Sequence, residues 1–353
     1  MNKLPIPFST FDKTSPLKKL LEKYKSTNKQ KVEILIGENK GPVMIDLEKV
    51  GHLLLVGWSM SRKEFILDAI LQSLLTRYTP EDVRFILADG QADLSQYGEN
   101  PYLLTEVIRD RDKLVSALKW TIAEVENRFK EFEKEFVRDI ESFNAQSEEK
   151  KPRIILIIKP VEYFSNFDPN EIKDLLENIS PRGAKTGIHL ILVTDRINKN
   201  IISASTLSNI PNRIVCQMTT EKDANDAGAK GTNQIKLNEF FLKLQDEKPQ
   251  KIQMLDISEK DIKAIREYFK KYFPYTINPK EDVTMPSVSD SELDPLFDQA
   301  VKLIMPLEFV SASLLQRKYM IGYSRSARML DQMEVKGFVA PAEGSKPRKV
   351  LKK

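Results

Sequence analysis

From residue 31 onward the chain alternates short apolar runs with longer amphipathic stretches. Lys31-Val32-Glu33-Ile34-Leu35-Ile36-Gly37 alternates every second residue, as a half-buried strand does. It turns through Asn39-Lys40-Gly41-Pro42 into Val43-Met44-Ile45-Asp46-Leu47. Largely apolar runs follow at 52–56, 83–89, 153–158, 188–194 and 213–218. Runs apolar on both faces and rich in Ile, Leu and Val fit strands of a parallel sheet covered on both sides. Between them the spacing predicts helices over 63–77, 112–144 and 170–179. In the second, Leu114, Leu118, Ile122, Val125, Phe129, Phe132 and Phe136 keep helical spacing, the stripe of a helix lying on a sheet. A short amphipathic helix, 15–24, precedes the first strand. A strand pair near 239–255 and a helix over 258–272 end the series. Strand alternating with helix specifies an α/β domain with a mainly parallel sheet.

Residues 274–291, with Pro274, Pro279 and Pro286 among Thr, Ser and Asp, read as a linker. Beyond them lie three helical patterns, 292–305, 311–319 and 324–336, then a Gly-Phe-Val turn and a basic tail. Three short helices and a trailing hairpin in so few residues predict a winged helix-turn-helix. The expected organisation is a short N-terminal lobe (1–50), an α/β domain (51–273), the linker (274–291) and a winged-helix domain with a basic tail (292–353).

Composition narrows the chemistry. The chain of 353 residues has one cysteine, Cys216, inside an apolar run, and two histidines, His52 and His189. An inert core thiol in a reducing compartment is expected, with no zinc-type or other metal site. The N-terminus has no apolar leader and no run approaches the roughly 18 apolar residues of a membrane span, so the expectation is a cytoplasmic protein. The net charge of +4 is uneven: residues 311–353 hold ten Lys/Arg against three Asp/Glu, and the remainder has a slight acidic excess. A polyanion is therefore expected to meet the C-terminal end.

The stretch Gly57-Trp58-Ser59-Met60-Ser61-Arg62-Lys63-Glu64 lies between a strand and a helix, where a phosphate-binding loop belongs. Such a loop reads G-x-x-x-x-G-K-[ST]: glycines let backbone N–H groups close on phosphate, Lys takes the β/γ charge and the hydroxyl ligates Mg²⁺. Gly57 and Lys63 are in place. Arg62 stands where the second glycine belongs and Glu64 where the hydroxyl belongs. On the motif alone, an ordinary strand–helix turn is the favoured reading.

The wider chain carries a resemblance. H-L-L-L-V-G (52–57), T-P-E-D-V-R-F-I (79–86), L-L-T-E-V-I-R-D (103–110), A-L-K-W (117–120), G-I-H-L-I-L-V-T (187–194) and I-P-N-R-I (210–214) resemble the FtsK/SpoIIIE family of DNA translocases. So do E-L-D-P-L-F-D-Q-A-V (292–301) and I-G-Y-S-R-S-A-R-M-L-D-Q-M-E (321–334). The likeness runs in unbroken order from about Lys31 to Val339. It implies a RecA-like P-loop motor domain, a C-terminal γ winged helix, and hexameric rings that pump duplex DNA with ATP.

The resemblance also makes the departures legible. The Walker B pair, Asp-Glu in the family, is Lys159-Pro160 here, so no intact catalytic set is expected. The Asp-Pro-Lys motif is Asp89-Gly90-Gln91, and the sensor Gln is Asp195. Near the stretch that the family turns toward a neighbour's nucleotide stands Arg182-Gly183-Ala184-Lys185. Phosphoryl transfer rests on positioned cations, so weak or absent ATP binding and no useful hydrolysis follow, with ATP and Mg²⁺ as cofactors only if replacement acids such as Glu162 and Asp89 serve. A Glu64–Lys159 ion pair filling the metal's place is expected; independent solvation of both groups remains the alternative.

In the γ domain the resemblance carries base reading to Ser324, Arg328 and Asp331, whose spacing puts them on one helical face. Arg325, Lys318, Lys346, Arg348, Lys349, Lys352 and Lys353 are expected to hold phosphates; the bland reading is a solvated helix face. The combined expectation is a duplex-DNA-binding pseudo-ATPase, acting as a scaffold, a homo-hexamer, or a silent subunit in a ring with an active paralogue. An active translocase and a purely structural interaction protein are the alternatives.

Overall fold

The computed structural model describes residues 4–23, 31–273 apart from 59, 99 and 166–168, and, further on, 296–319, 326, 329–330, 332–334, 336–340 and 347–351. The chain divides into two compact units, 1–283 and 284–353. The expected linker, 274–291, lies outside the described residues.

The larger unit is built on nine strands: β1 (Glu33–Glu38), β2 (Pro42–Asp46), β3 (Leu53–Val56), β4 (Val83–Asp89), β5 (Arg153–Lys159), β6 (Ile188–Thr194), β7 (Arg213–Val215), β8 (Glu239–Lys243) and β9 (Gln250–Gln253). They form one sheet in the order β2-β1-β9-β8-β7-β3-β6-β5-β4. The half from β7 to β4 is parallel; β2, β1, β9 and β8 extend it antiparallel. This is the expected α/β fold. The apolar run of β3 explains its central place, because all four of its residues are fully buried between β6 and β7. Register aligns Val56 with Thr194, Ile158 with Leu192 and Asp89 with Lys159, so the residues after β3, β5 and β6 emerge along one rim. In open parallel sheets that carboxyl rim is where ligands bind.

The helix Lys63–Arg77 is buried along nearly its whole length and packs on β1, where Ser73 Oγ accepts from Leu35 N–H at 3.1 Å. β1 and β2 belong to the same sheet, and Ile6, Phe11, Leu17 and Leu21 share one core with Ile265 and Phe269 of the helix Glu259–Tyr272. The outer strand β4 is flanked by 102–108. Phe85 and Asp89 N–H donate to Tyr102 O and Ile108 O at 2.8 Å, and Leu104 and Ile108 N–H donate back to Phe85 O and Leu87 O at 2.9 and 2.8 Å.

One predicted element is corrected. The helix expected over 112–144 spans Arg111–Lys134, and a second helix, Ile140–Gln146, begins behind Asp139, whose carboxylate accepts from Ser142 N–H. The chain reverses at Phe136, which has a left-handed φ of 54°.

In the smaller unit the helices Phe297–Ile304 and Ala312–Tyr319 flank β10 (Phe309–Val310), and residues 326, 329–330 and 332–334 are helical. β11 (Arg348–Lys349) pairs antiparallel with β10, and Val339 bridges Val350. Phe297, Ile304, Leu315, Met329 and Met333 form its core. Helices followed by a small wing make the expected winged helix. Among the described residues no helix is long and apolar enough to cross a membrane.

Candidate functional site

β3 delivers the loop 57–62 to the carboxyl rim. Gly57 N–H donates to Thr194 O at 3.2 Å, Trp58 N–H to Gln217 O at 3.1 Å and Ser61 N–H to Trp58 O at 2.9 Å. A Cβ on Gly57 would lie 2.6 Å from both Cys216 Cβ and Ser61 Oγ, so this position admits only glycine. Ser59 lies outside the described residues, and Met60 is 67% exposed. Arg62 adopts the left-handed conformation (φ 59°, ψ 35°) that a loop glycine would take without strain. Its guanidinium turns outward over the Phe65 ring, 5.5 Å from the centroid, so it does not narrow the loop as its bulk predicts.

Lys63 folds back onto this loop. Only 4% exposed, its ammonium donates to Gly57 O, to Trp58 O at 3.0 Å and to Asp195 Oδ1 at 2.8 Å. Asp195, one residue past β6, is itself anchored. Its N–H donates to Glu162 Oε1 at 3.0 Å, and the same oxygen accepts from the Thr194 hydroxyl. The other oxygen, Glu162 Oε2, is buried without a partner.

A second lysine is closed off at the end of β5. Lys159, 2% exposed, pairs with Asp93 and lies 3.4 Å from Gln91 Oε1. Asp89 builds the turn that brings Asp93 there, accepting from Gln91 N–H at 3.1 Å and Leu94 N–H at 2.7 Å. The expected Glu64–Lys159 ion pair does not form. Asp93, on the adjacent turn, holds the ammonium, and Glu64 Oε2 is buried with no hydrogen-bond partner. Asp89 is likewise committed to backbone, which leaves Glu162 as the acid of the expected pair with an unused oxygen. One turn along the helix from Glu64, burial pushes Asp68 up to about 6, against the hydrogen bonds it accepts from Tyr97 Oη at 2.7 Å and Gln96. Cys216 is fully buried and its thiol is pushed up to about 12 by desolvation, an unreactive group.

Arg182 packs away from the rim: it pairs with Glu126 and stacks over Phe129, 4.2 Å from the centroid. Of the residues expected to meet DNA, Ser324, Arg325, Arg328, Asp331, Lys346, Lys352 and Lys353 lie outside the described residues. Lys318 and Lys349 are exposed. Arg348 is held by Glu334 at 2.7 Å and by Leu330 O at 3.3 Å.

A glycine-shaped loop between a buried parallel strand and a helix, with its lysine at the carboxyl rim, defines a P-loop nucleotide-triphosphatase fold. A solved structure with this fold is the pCW3 conjugation coupling protein TcpA, monomer form with ATPγS: TM-score 0.58, 21% identity, over 70% of this chain and 72% of that one. Residues 17–235 match the FtsK/SpoIIIE family and 291–353 the FtsK γ domain, and the chain belongs to the FtsK/SpoIIIE family. It is 31% identical over 323 residues to the DNA translocase FtsK of Clostridium tetani, covering 88% of this chain and 44% of that one. To the DNA translocase SftA of Bacillus subtilis it is 32% identical over 320 residues, covering 88% and 34%. The chain thus spans less than half the length of these curated relatives.

Proposed function

We propose that this chain is a cytoplasmic, duplex-DNA-binding member of the FtsK/SpoIIIE family whose motor centre does not turn over ATP. On this reading it serves DNA translocation or chromosome segregation as a scaffold, or as a silent subunit in a ring with an active paralogue. The carrying observation is that the cleft supplies its own counter-ions: Lys63 is neutralised by Asp195 and Lys159 by Asp93. The residues do not fit Mg²⁺–ATP. The position of the metal-binding hydroxyl holds Glu64, with a buried unpartnered oxygen, and the positions of the Walker B acids hold a paired lysine and a proline. Removing one positioned group of this kind commonly costs about a hundredfold or more in rate.

DNA binding is assigned to the C-terminal unit on the basic excess of 311–353, with Lys318 and Lys349 as exposed contacts. One observation favours the rival reading, an active translocase: Glu162 Oε2 is a buried, unpartnered carboxylate oxygen beside Asp195. ATP turnover at saturating Mg²⁺, with and without duplex DNA, decides between them, using Lys63→Ala as control. No turnover above the control is expected, together with duplex binding that weakens as salt rises. DNA-stimulated turnover abolished by Lys63→Ala overturns the proposal and makes Glu162 the replacement base to test.

A further inference from the structure

We propose that Asp195 is a built-in substitute for phosphate, occupying the seat beside Lys63 and thereby excluding nucleoside triphosphates from this P-loop. An ammonium has three donors, and Lys63 directs them at three acceptors: Gly57 O, Trp58 O and Asp195 Oδ1. None remains for the β/γ-phosphate oxygens that a P-loop lysine normally meets. The arrangement is held from behind. Glu162 Oε1 accepts from both Asp195 N–H and the Thr194 hydroxyl, which fixes the backbone from which the aspartate reaches across to the loop.

The partners also differ in solvation in the way a plug requires. The Lys63 side chain is 5% exposed, whereas that of Asp195 is 49% exposed, so the carboxylate forms the outer face of the pair, where an incoming anion arrives. A triphosphate has to displace Asp195 from its ionic partner Lys63 and then remain beside its charge. The unpartnered Glu64 Oε2 adds a second repulsive charge at the helix N-terminus, an end that otherwise favours anions.

This inference deepens the proposed loss of turnover and rests on it, but it concerns binding rather than hydrolysis, and the two are separable by experiment. ATP binding is measured calorimetrically, with and without Mg²⁺, on the parent chain, Asp195→Asn, Asp195→Ala and Glu64→Ser, each with and without Lys63→Ala. Asn keeps the shape and an acceptor for Lys63, so it carries the test if the alanine variant folds poorly. Both aspartate variants are expected to bind ATP about tenfold or more tightly than the parent, the scale of one unit charge removed at close range in a partly solvated site. Lys63→Ala is expected to abolish the gain. Equal affinity in parent and variants, at any level, overturns the inference, and so does a gain confined to Glu64→Ser. Turnover on the same preparations judges the other proposal independently: no binding and no turnover anywhere sinks the phosphate substitute alone, whereas turnover by the parent without tighter binding in the variants sinks both.

Discussion

Lys159 is a buried ammonium whose ionic partner, Asp93, has a side chain that is 38% exposed. Removing one member of such a pair strands the other, and stranding the deeper charge is the more damaging change. Asp93→Ala is therefore expected to lower unfolding free energy by about 1–3 kcal/mol, below the usual range for fully buried pairs because water already reaches the aspartate. Lys159→Met, which keeps the stem and removes the charge, is expected to cost less. Urea unfolding of a double-mutant cycle checks the assignment: Lys159 should couple with Asp93 and be additive with Glu64→Gln. At this scale the sequence placed both lysines at the site but not their partners. Lys159 pairs with a residue presented by a turn that Asp89 organises through backbone hydrogen bonds, and a spacing pattern carries no trace of such a turn. Asp195 had more signal, because β3 and β6 are parallel neighbours, which sets Asp195, one residue past β6, beside the loop that Lys63 closes after β3.

The elements themselves were more legible. A run such as Arg153 to Lys159, buried at every position, excludes both an amphipathic helix and a one-sided strand. The misread boundary was the long helix, because Phe129, Phe132 and Phe136 continue its spacing through the break. The chain actually ends that helix with a Schellman motif. Val137 N–H donates to Phe132 O at 2.9 Å and Phe136 N–H to Glu133 O at 3.3 Å, with Val137 packed near Phe132. The left-handed residue of that motif is usually glycine, the stop signal a sequence reader looks for. Here it is Phe136, 96% exposed, so its ring gains almost nothing from burial. Phe136→Gly is expected to raise stability by about 0.5–1 kcal/mol, the relief of left-handed strain less the entropy glycine adds to the unfolded chain. Phe136→Val, branched at Cβ, should lower it; thermal unfolding of the two variants gives opposite signs if the backbone argument holds.

Across the whole larger unit, two buried histidines tie the central strands to their loops. His52 Nε2–H donates to Ser180 O at 3.0 Å while its Nδ1 accepts from Leu190 N–H at 2.9 Å; His189 Nδ1–H donates to Gly51 O at 2.7 Å. Burial pushes His52 down to about 4 and His189 to about 3, so both are neutral in the fold. The unfolded chain takes up these protons near 6.5, so their contribution is complete above that pH and is lost as pH falls toward about 4. Asp68, pushed up to about 6, works in the opposite direction: the fold binds its proton more tightly, and stability from this group grows as pH falls from about 6 toward 4. Glu48, also raised by burial, works in the same direction as Asp68, but the two histidines are displaced further from their ordinary value, so the melting midpoint is expected to fall between pH 6.5 and 4. Asp68→Asn should steepen that fall by removing its share of the offset; a midpoint that rises on acidification contradicts the assignment. The sheet carries a further consequence at its β4 margin. Because the segment 102–108 already takes up the outward backbone groups of Phe85, Leu87 and Asp89, that margin offers no template for strand addition. A neighbouring subunit approaching from that side cannot join by extending the ladder, and must dock through side chains. The same finish keeps this margin of the sheet out of the edge-to-edge stacking from which fibrils grow.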